Sequence, residues 1–165
     1  LRGPSRAAGS ASLVRCGGRP ARTLVARLGS GAGIAALPDG ARMDTSMGLT
    51  PSGGMAMSTR SGDVDPGVLL YLLRSRGFSV ADIDDVINRR GGLLGISESS
   101  SDVRQLLAAS STDPKAEDAI SVFCYQAKKF IGAYSSALGG LDAFVFTGGV
   151  GWRYAYSRAG LCRSL

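Results

Sequence analysis

The sequence predicts a mixed α/β domain, and three observations carry that prediction. Apolar segments of β-forming residues lie at "TLVARL" and "DAFVFT", helix caps recur between them, and one long run repeats apolar residues at three-and-four spacing. At 165 residues, 44% of them apolar, the chain can form one core that buries about 70% of the surface its unfolded form exposes. Twenty-four glycines without a period exclude a fibrous protein, and no segment has the length of a membrane span.

Taken in order, "TLVARLGSGAGIAALPDGARMDT" places β-formers around Gly29, Gly31 and Gly33 and then a Pro38-Asp39-Gly40 turn, which predicts a three-stranded meander over 23 to 28, 32 to 37 and 41 to 45. A loop over 46 to 66 leads to "GVLLYLLRSRG", where Asp65 stands as N-cap and Pro66 at the first helical position of a helix of about 10 residues ending near Gly77. Ser79 and Asp82 have capping-box spacing at the head of a helix that Gly91 ends, and Asp102 and Gln105 repeat the spacing before "VRQLLAAS". The longest helix is expected over 114 to 138, with Ala116, Ala119, Ile120, Phe123, Ala127, Phe130, Ile131, Tyr134 and Leu138 on its buried face. "DAFVFTGG" then reads as a short central strand covered on both sides.

The net charge of +6 is unevenly spread. Residues 1 to 27 hold six arginines and residues 152 to 165 three more, with no acid in either, so the 10 remaining basic residues face 13 acids and the middle carries a net charge of −3. A basic leader of this kind can be a transit peptide or a nucleic-acid arm. The first 22 residues hold no aromatic for base stacking, and their Arg, Gly, Ala, Pro and Ser mixture does not offset its own ordering entropy. The expected division is therefore a disordered or non-native flank over 1 to 22, an ordered domain over 23 to 151 and a non-native tail over 152 to 165, with neither nucleic acid nor membrane as partner. Cys16, Cys124 and Cys162 are odd in number, widely spaced and accompanied by no histidine, which points away from zinc and disulfides and toward a reducing, cytoplasmic setting.

Chemistry is expected at two glycine clusters and one arginine. "RLGSGAG" and "FTGGVG" both lie where an apolar strand gives way to a turn, and glycine there lets backbone N–H groups approach a phosphate. Neither cluster matches the P-loop or the dinucleotide fingerprint. In "STRSGDVDP", Arg60 offers a planar, permanently charged fork suited to the equatorial oxygens of a transferring phosphoryl group. Asp63 is read as holding Arg60 in place, Gly62 as supplying an unusual backbone angle and Asp65 as only a helix cap.

These residues carry a family resemblance. "MDTSMGLTPSGGMAMSTRSGDVDPG" (43 to 67) resembles the acetate kinase family pattern DTSMGxTPLEGLxMGTRSGDxDP, and "RLGSGAG", "GLLGISESSSDVRQL" and "FCYQAKKFIGAYSSALGGLDAFVFTGGVG" resemble further segments in the same order. The resemblance covers about residues 19 to 151. It implies one ribonuclease-H-like (actin-like ATPase) domain, incomplete, of an enzyme that moves the γ-phosphoryl group of ATP to acetate or another short-chain carboxylate with Mg²⁺, giving an acyl phosphate. By the same resemblance Arg60 is the catalytic, transition-state arginine. The nucleotide-binding positions fall on Arg27, Leu28, Gly29, Ser30 and Gly31, on Asp102, Val103 and Arg104, and on Gly148, Gly149, Val150 and Gly151. Asp102 keeps its plainer reading as a helix cap. Family members are commonly homodimers, and the resemblance implies the same for a full-length protein.

The departures carry information too. Arg27 stands where the family has histidine, Ser30 where it has asparagine or another small residue, Ser52-Gly53 where Leu-Glu is usual, and Trp152-Arg153 where Glu-Asn is expected. The match is close inside and lost abruptly at both ends, so a shifted reading frame or a truncation is expected. No counterpart is found for the family's N-terminal domain or for the carboxylate that places Mg²⁺, so no metal ligand is assigned. The expectation is an acetate kinase-type fragment with negligible activity alone. The alternatives are a non-catalytic nucleotide-binding remnant and, behind it, a basic nucleic-acid binder.

Overall fold

The computed structural model describes residues 21–149, which form two compact units, one of residues 21–46 with 124–149 and one of residues 47–123. Residues 1–20 and 150–165, which hold nearly all of the two flanks read as disordered or non-native, lie outside the described residues.

The first unit is built on a four-stranded sheet. β1 (Arg22–Leu28) and β2 (Ala32–Pro38) pair antiparallel with Leu28 opposite Ala32, so Gly29, Ser30 and Gly31 form the connecting turn. Asp39 (φ 49°) and Gly40 (φ 76°) then turn the chain back, closed by the Ala41 N–H donating to Pro38 O at 2.9 Å. Positive φ at both central positions is the turn geometry that matches strand twist. β3 (Asp44–Thr45) completes the expected meander, although it is shorter than 41 to 45. Ala41, Arg42 and Met43 are exposed, although the Met43 N–H still donates to Ala36 O at 2.9 Å.

β4 (Ala143–Thr147) pairs parallel to β1, giving the order β3-β2-β1-β4. The central position expected for this strand is not what the structure shows. Among the described residues β4 ends the sheet, and all five of its residues are half-buried. Its composition reports what it can bury, and here only one side has a strand partner. Val145 packs on the cluster of Val25, Ala35 and Leu37. At the opposite end of the strands, the Arg22 guanidinium clasps Asp142 (Nη2 to Oδ1, 2.5 Å) and donates to Gly139 O (2.7 Å).

In the second unit, α1 (Pro66–Ser75) starts as expected, with Asp65 Oδ1 accepting from the Gly67 N–H at 2.8 Å and Pro66 in the first turn. Gly77, at φ +69°, follows its end. None of its residues is buried among the described ones, and Val68, Leu70 and Tyr71 are exposed. α2 (Val80–Asn88) carries the full Ser79–Asp82 capping box. α3 (Gly92–Ser97), which the sequence reading leaves unassigned, is a short helix with Gly91 at its N-cap. α4 (Val103–Ala109) opens on Asp102, but its capping box is not reciprocal. Asp102 accepts from the Arg104 N–H, whereas Gln105 Oε1 accepts from Ser100 Oγ, whose oxygen in turn accepts from the Asp102 N–H at 3.0 Å. Ser100 takes the place that the Gln105 side chain was expected to fill.

α5 (Pro114–Ala137) contributes residues up to Phe123 to the second unit and from Cys124 onward to the first. Asp113 caps it through the Lys115 N–H at 3.0 Å. The three-and-four face is buried as expected at Ala116, Ala119, Ile120, Phe123, Ala127, Ile131 and Tyr134, while Phe130 and Leu138 are half-buried.

Candidate functional site

The expected site residues fall in both units. In the first, the parallel register of β1 and β4 sets Arg27 opposite Thr147, so the turn after β1 and the turn after β4 lie at the same sheet end. Gly148 adopts φ +85°, and a Cβ there would collide with Leu28 O and lie 2.9 Å from Leu28 C. The two glycine clusters of the sequence are therefore neighbours, with Gly148 packed directly against Leu28. Leu28 is buried, Arg27 and Ser30 are exposed, and Gly29 N–H donates to Gly31 O at 3.1 Å. Space is open beside two of these glycines. Among the described residues, a Cβ on Gly149 would meet nothing within 4 Å, and one on Gly29 only Gly31 O at 3.6 Å. Val150 and Gly151 lie outside the described residues.

In the second unit, Arg60 sits in a loop closed at both ends. Asp63 Oδ1 accepts from the Gly54 N–H (2.7 Å), and the Asp63 N–H donates to Gly54 O (2.8 Å). Gly62, at φ +76°, packs so closely that a Cβ would lie 2.5 Å from Gly54 O and 2.6 Å from Ala56 N. Only glycine fits there. The assignment of Asp63 as the arginine's holder is thus corrected: its carboxylate is used on the loop backbone, because a backbone N–H lies closer to it than the guanidinium does. Arg60 is half-buried, its Nη1 lies 3.8 Å from Met57 Sδ, and among the described residues it makes no ion pair. A guanidinium partly withdrawn from water and without a carboxylate is suited to receive an anion.

Met55, Ala56 and Met57, immediately before it, are buried at 1% exposure or less and root the loop in the unit's core. The sequence reading missed the segment on which the loop rests. Leu93 N–H donates to Met57 O (2.8 Å), Leu94 N–H to Ser58 O (3.0 Å), Ser61 N–H to Ile87 O (2.9 Å) and Thr59 Oγ1 to Asn88 O (3.0 Å). The available signal was the doubled glycine of "NRRGGLL", of which Gly91 was read as a helix stop and Gly92 only as the start of a family-like segment.

Asp102 and Arg104 pair with one another at the head of α4, with Asp102 Oδ1 accepting from the Arg104 N–H and Nε, both at 2.9 Å. Hydrogen bonding from the Arg104 guanidinium, then from its backbone N–H, lowers the Asp102 carboxyl to about 2. Val103 beside them is buried. This supports the plain reading of Asp102 as a cap and leaves its carboxylate engaged by Arg104. No group of three His, Cys, Asp or Glu that could hold a metal ion occurs among the described residues.

The fold is an α/β domain similar to those solved in an acetate kinase and a propionate kinase. Its structure matches that of Porphyromonas gingivalis acetate kinase with a TM-score of 0.92 at 40% identity, over 97% of this chain and 41% of that one. It matches a propionate kinase from Francisella tularensis at 0.90 and 37% identity, over 97% of this chain and 42% of that one. The acetate kinase of Brachyspira hyodysenteriae is 48% identical over 145 residues, which is 88% of this chain and 37% of that protein. The acetokinase family model matches residues 9–165, on both sides of the interior stretch that carries the motifs. The chain belongs to the acetokinase family. It spans little more than a third of the length of the relatives it matches.

Proposed function

We propose that this chain is the part of an acetate kinase-type phosphotransferase that binds ATP and stabilises the transferring phosphoryl group, with acetate or another short-chain acid as acceptor. The observation that carries this reading is Arg60, half-buried, without an ion pair among the described residues, and held by a glycine-closed loop. Phosphoryl transfer asks little covalent work of a protein, so a positioned guanidinium that neutralises the equatorial oxygens supplies much of what is needed. Gly29, Ser30 and Gly31, and Gly148 with Gly149, present a turn backbone suited to phosphate oxygens. Bound ATP would supply the phosphoryl group. Mg²⁺ would neutralise its charge in the family's chemistry, but the described residues offer no ligand group for it, and no metal role is assigned to this chain.

With little more than a third of its relatives' length, the isolated chain binds nucleotide weakly and turns over negligibly; a full-length protein is a cytoplasmic homodimer. Calorimetry with MgATP, together with a coupled assay containing ATP, acetate and Mg²⁺, tests both halves. The expected result is measurable ATP binding, weakened by Arg60→Ala, with acyl-phosphate formation far below about 10 per second. Turnover near that value would overturn the inactivity of the isolated chain, and ATP affinity unchanged in Arg60→Ala would overturn the role of the arginine.

A further inference from the structure

We propose that the junction between α2 and α3, residues 88 to 94, is the positioning element that aims Arg60, with Gly91 and Gly92 as its essential members. This rests on the phosphate role proposed for Arg60. The junction and the arginine loop lie within one unit and meet backbone to backbone. The first N–H groups of a helix have no partner within it. In α3, two of them are taken by the arginine loop, since Leu93 donates to Met57 O and Leu94 to Ser58 O, at 2.8 and 3.0 Å. From the other direction the Ser61 N–H donates to Ile87 O at 2.9 Å, and Thr59 Oγ1 donates to Asn88 O at 3.0 Å. Residues on both sides of Arg60 are thus tied to the junction. The loop closes on itself through the Met57 N–H, which donates to Arg60 O at 2.9 Å.

Glycine is what permits this approach. A Cβ at position 92, where φ is +58°, would collide with Met57 O and lie 2.5 Å from Arg60 O. A Cβ at position 91 would lie 2.8 Å from Val86 O in α2, 3.0 Å from Ser61 N and 3.2 Å from Ser61 Cα. Neither glycine has a side chain to offer a ligand. Their effect on a phosphate passes through the loop they touch, Gly92 at Met57 and Arg60 and Gly91 at the neighbouring Ser61, and a displacement of about 1 Å is enough to weaken a directed contact.

The test reads the discrimination between ATP and ADP, because only the terminal phosphate of ATP is expected to meet Arg60. Calorimetry on the full chain compares the parent, Arg60→Ala, Gly91→Ala, Gly92→Ala and Thr59→Val, the last close in shape and replacing the hydroxyl that donates to Asn88 O with a methyl group at a half-buried position. The parent is expected to prefer ATP by roughly tenfold or more, the value of one charge-assisted contact. Gly91→Ala and Thr59→Val should reduce that preference while leaving ADP affinity unchanged, and neither should add to the loss in an Arg60→Ala background. Gly92→Ala should abolish the preference if it folds. If Arg60→Ala retains the ATP preference, the phosphate role fails and this inference with it. If Arg60→Ala loses it while folded Gly91→Ala and Thr59→Val keep it, the positioning role alone is overturned. A parallel fall in ATP and ADP affinity would also overturn it, since that is what a merely structural role produces.

Discussion

Two sets of glycines, one in the turns of the sheet and one around Arg60, do opposite work. In the turns after β1 and β4, Gly29 and Gly149 face open space or an ordinary contact, so a methyl group there would have room. Around Arg60, Gly62 and Gly92 combine positive φ with backbone atoms at 2.6 Å or closer to where a Cβ would sit. The same residue type borders open space in the turns beside the sheet and clamps the loop around Arg60. Gly148 belongs with the clamps although it sits in one of those turns, since it packs on the Leu28 backbone at φ +85°. A glycine count along the sequence cannot make this distinction. Whether a glycine meets nothing or meets another backbone decides whether its loss is felt by a ligand or by the fold.

The sharpest way to break the comparison is Gly62→Ala. The change forces a left-handed backbone on alanine and presses its methyl against Gly54 O and Ala56 N. Strain of this kind costs about 1–3 kcal/mol before any contact is counted, and the displaced Gly54–Asp63 bonds add to it. Urea unfolding should show a loss of at least about 2 kcal/mol, confined to the midpoint with the slope retained. A loss below about 0.5 kcal/mol would mean that the loop relaxes freely, and the clamp would cease to be one.

What the sequence made legible follows the same division. Asp65-Pro66 and the Ser79–Asp82 box are local, their partners lying two or three residues away, and they formed as expected. The face of α5 was legible because helical spacing alone sets it. The ties between residues 57–61 and 87–94 were not, because all but the Thr59 hydroxyl's join backbone atoms, some thirty residues apart, and leave no side-chain pattern. The Asp102–Gln105 spacing misled for a related reason. Ser100, two residues before the cap, competed for Gln105 at short range, and nothing in the spacing ranks one hydroxyl above a backbone N–H. Arg60 was legible as a type of residue and by resemblance, whereas what holds it was not.

A smaller effect is expected from acid, and it reaches both units. Asp142 in the first unit is lowered by hydrogen bonds from the Arg22 side chain and then its backbone N–H, and Asp102 in the second is lowered to about 2 in the same way by Arg104. A carboxyl whose folded value lies below its unfolded one contributes stability that is present above the unfolded value and is lost as pH falls through the folded one. The thermal midpoint should therefore decline between about pH 4 and pH 2. Asp102→Asn keeps an oxygen to accept from the Arg104 N–H but has no charge to lose, so its decline should be shallower than the parent's. Asp142→Asn should show the same flattening. Parallel slopes for parent and variants would show that neither pair contributes to acid sensitivity.

The smallest expected effect on stability is the most informative about function. Gly149→Ala adds a methyl group where none of the described residues lies within 4 Å and where no positive φ is required, so its cost should stay within about 0.5 kcal/mol. If the turn after β4 serves as a phosphate floor, that space is where a nucleotide's oxygens approach the backbone, and the methyl should weaken ATP binding by calorimetry while the melting temperature stays put. The paired outcome separates floor from clamp, because a clamp glycine moves stability first and binding only as a consequence. A melting temperature lowered by several degrees would show that Gly149 is held by contacts of its own and would remove it from the floor. An unchanged melting temperature with unchanged ATP and ADP affinity would leave the fold account standing and shift the nucleotide contact to the Gly29–Gly31 turn, where Gly29→Ala makes the same distinction.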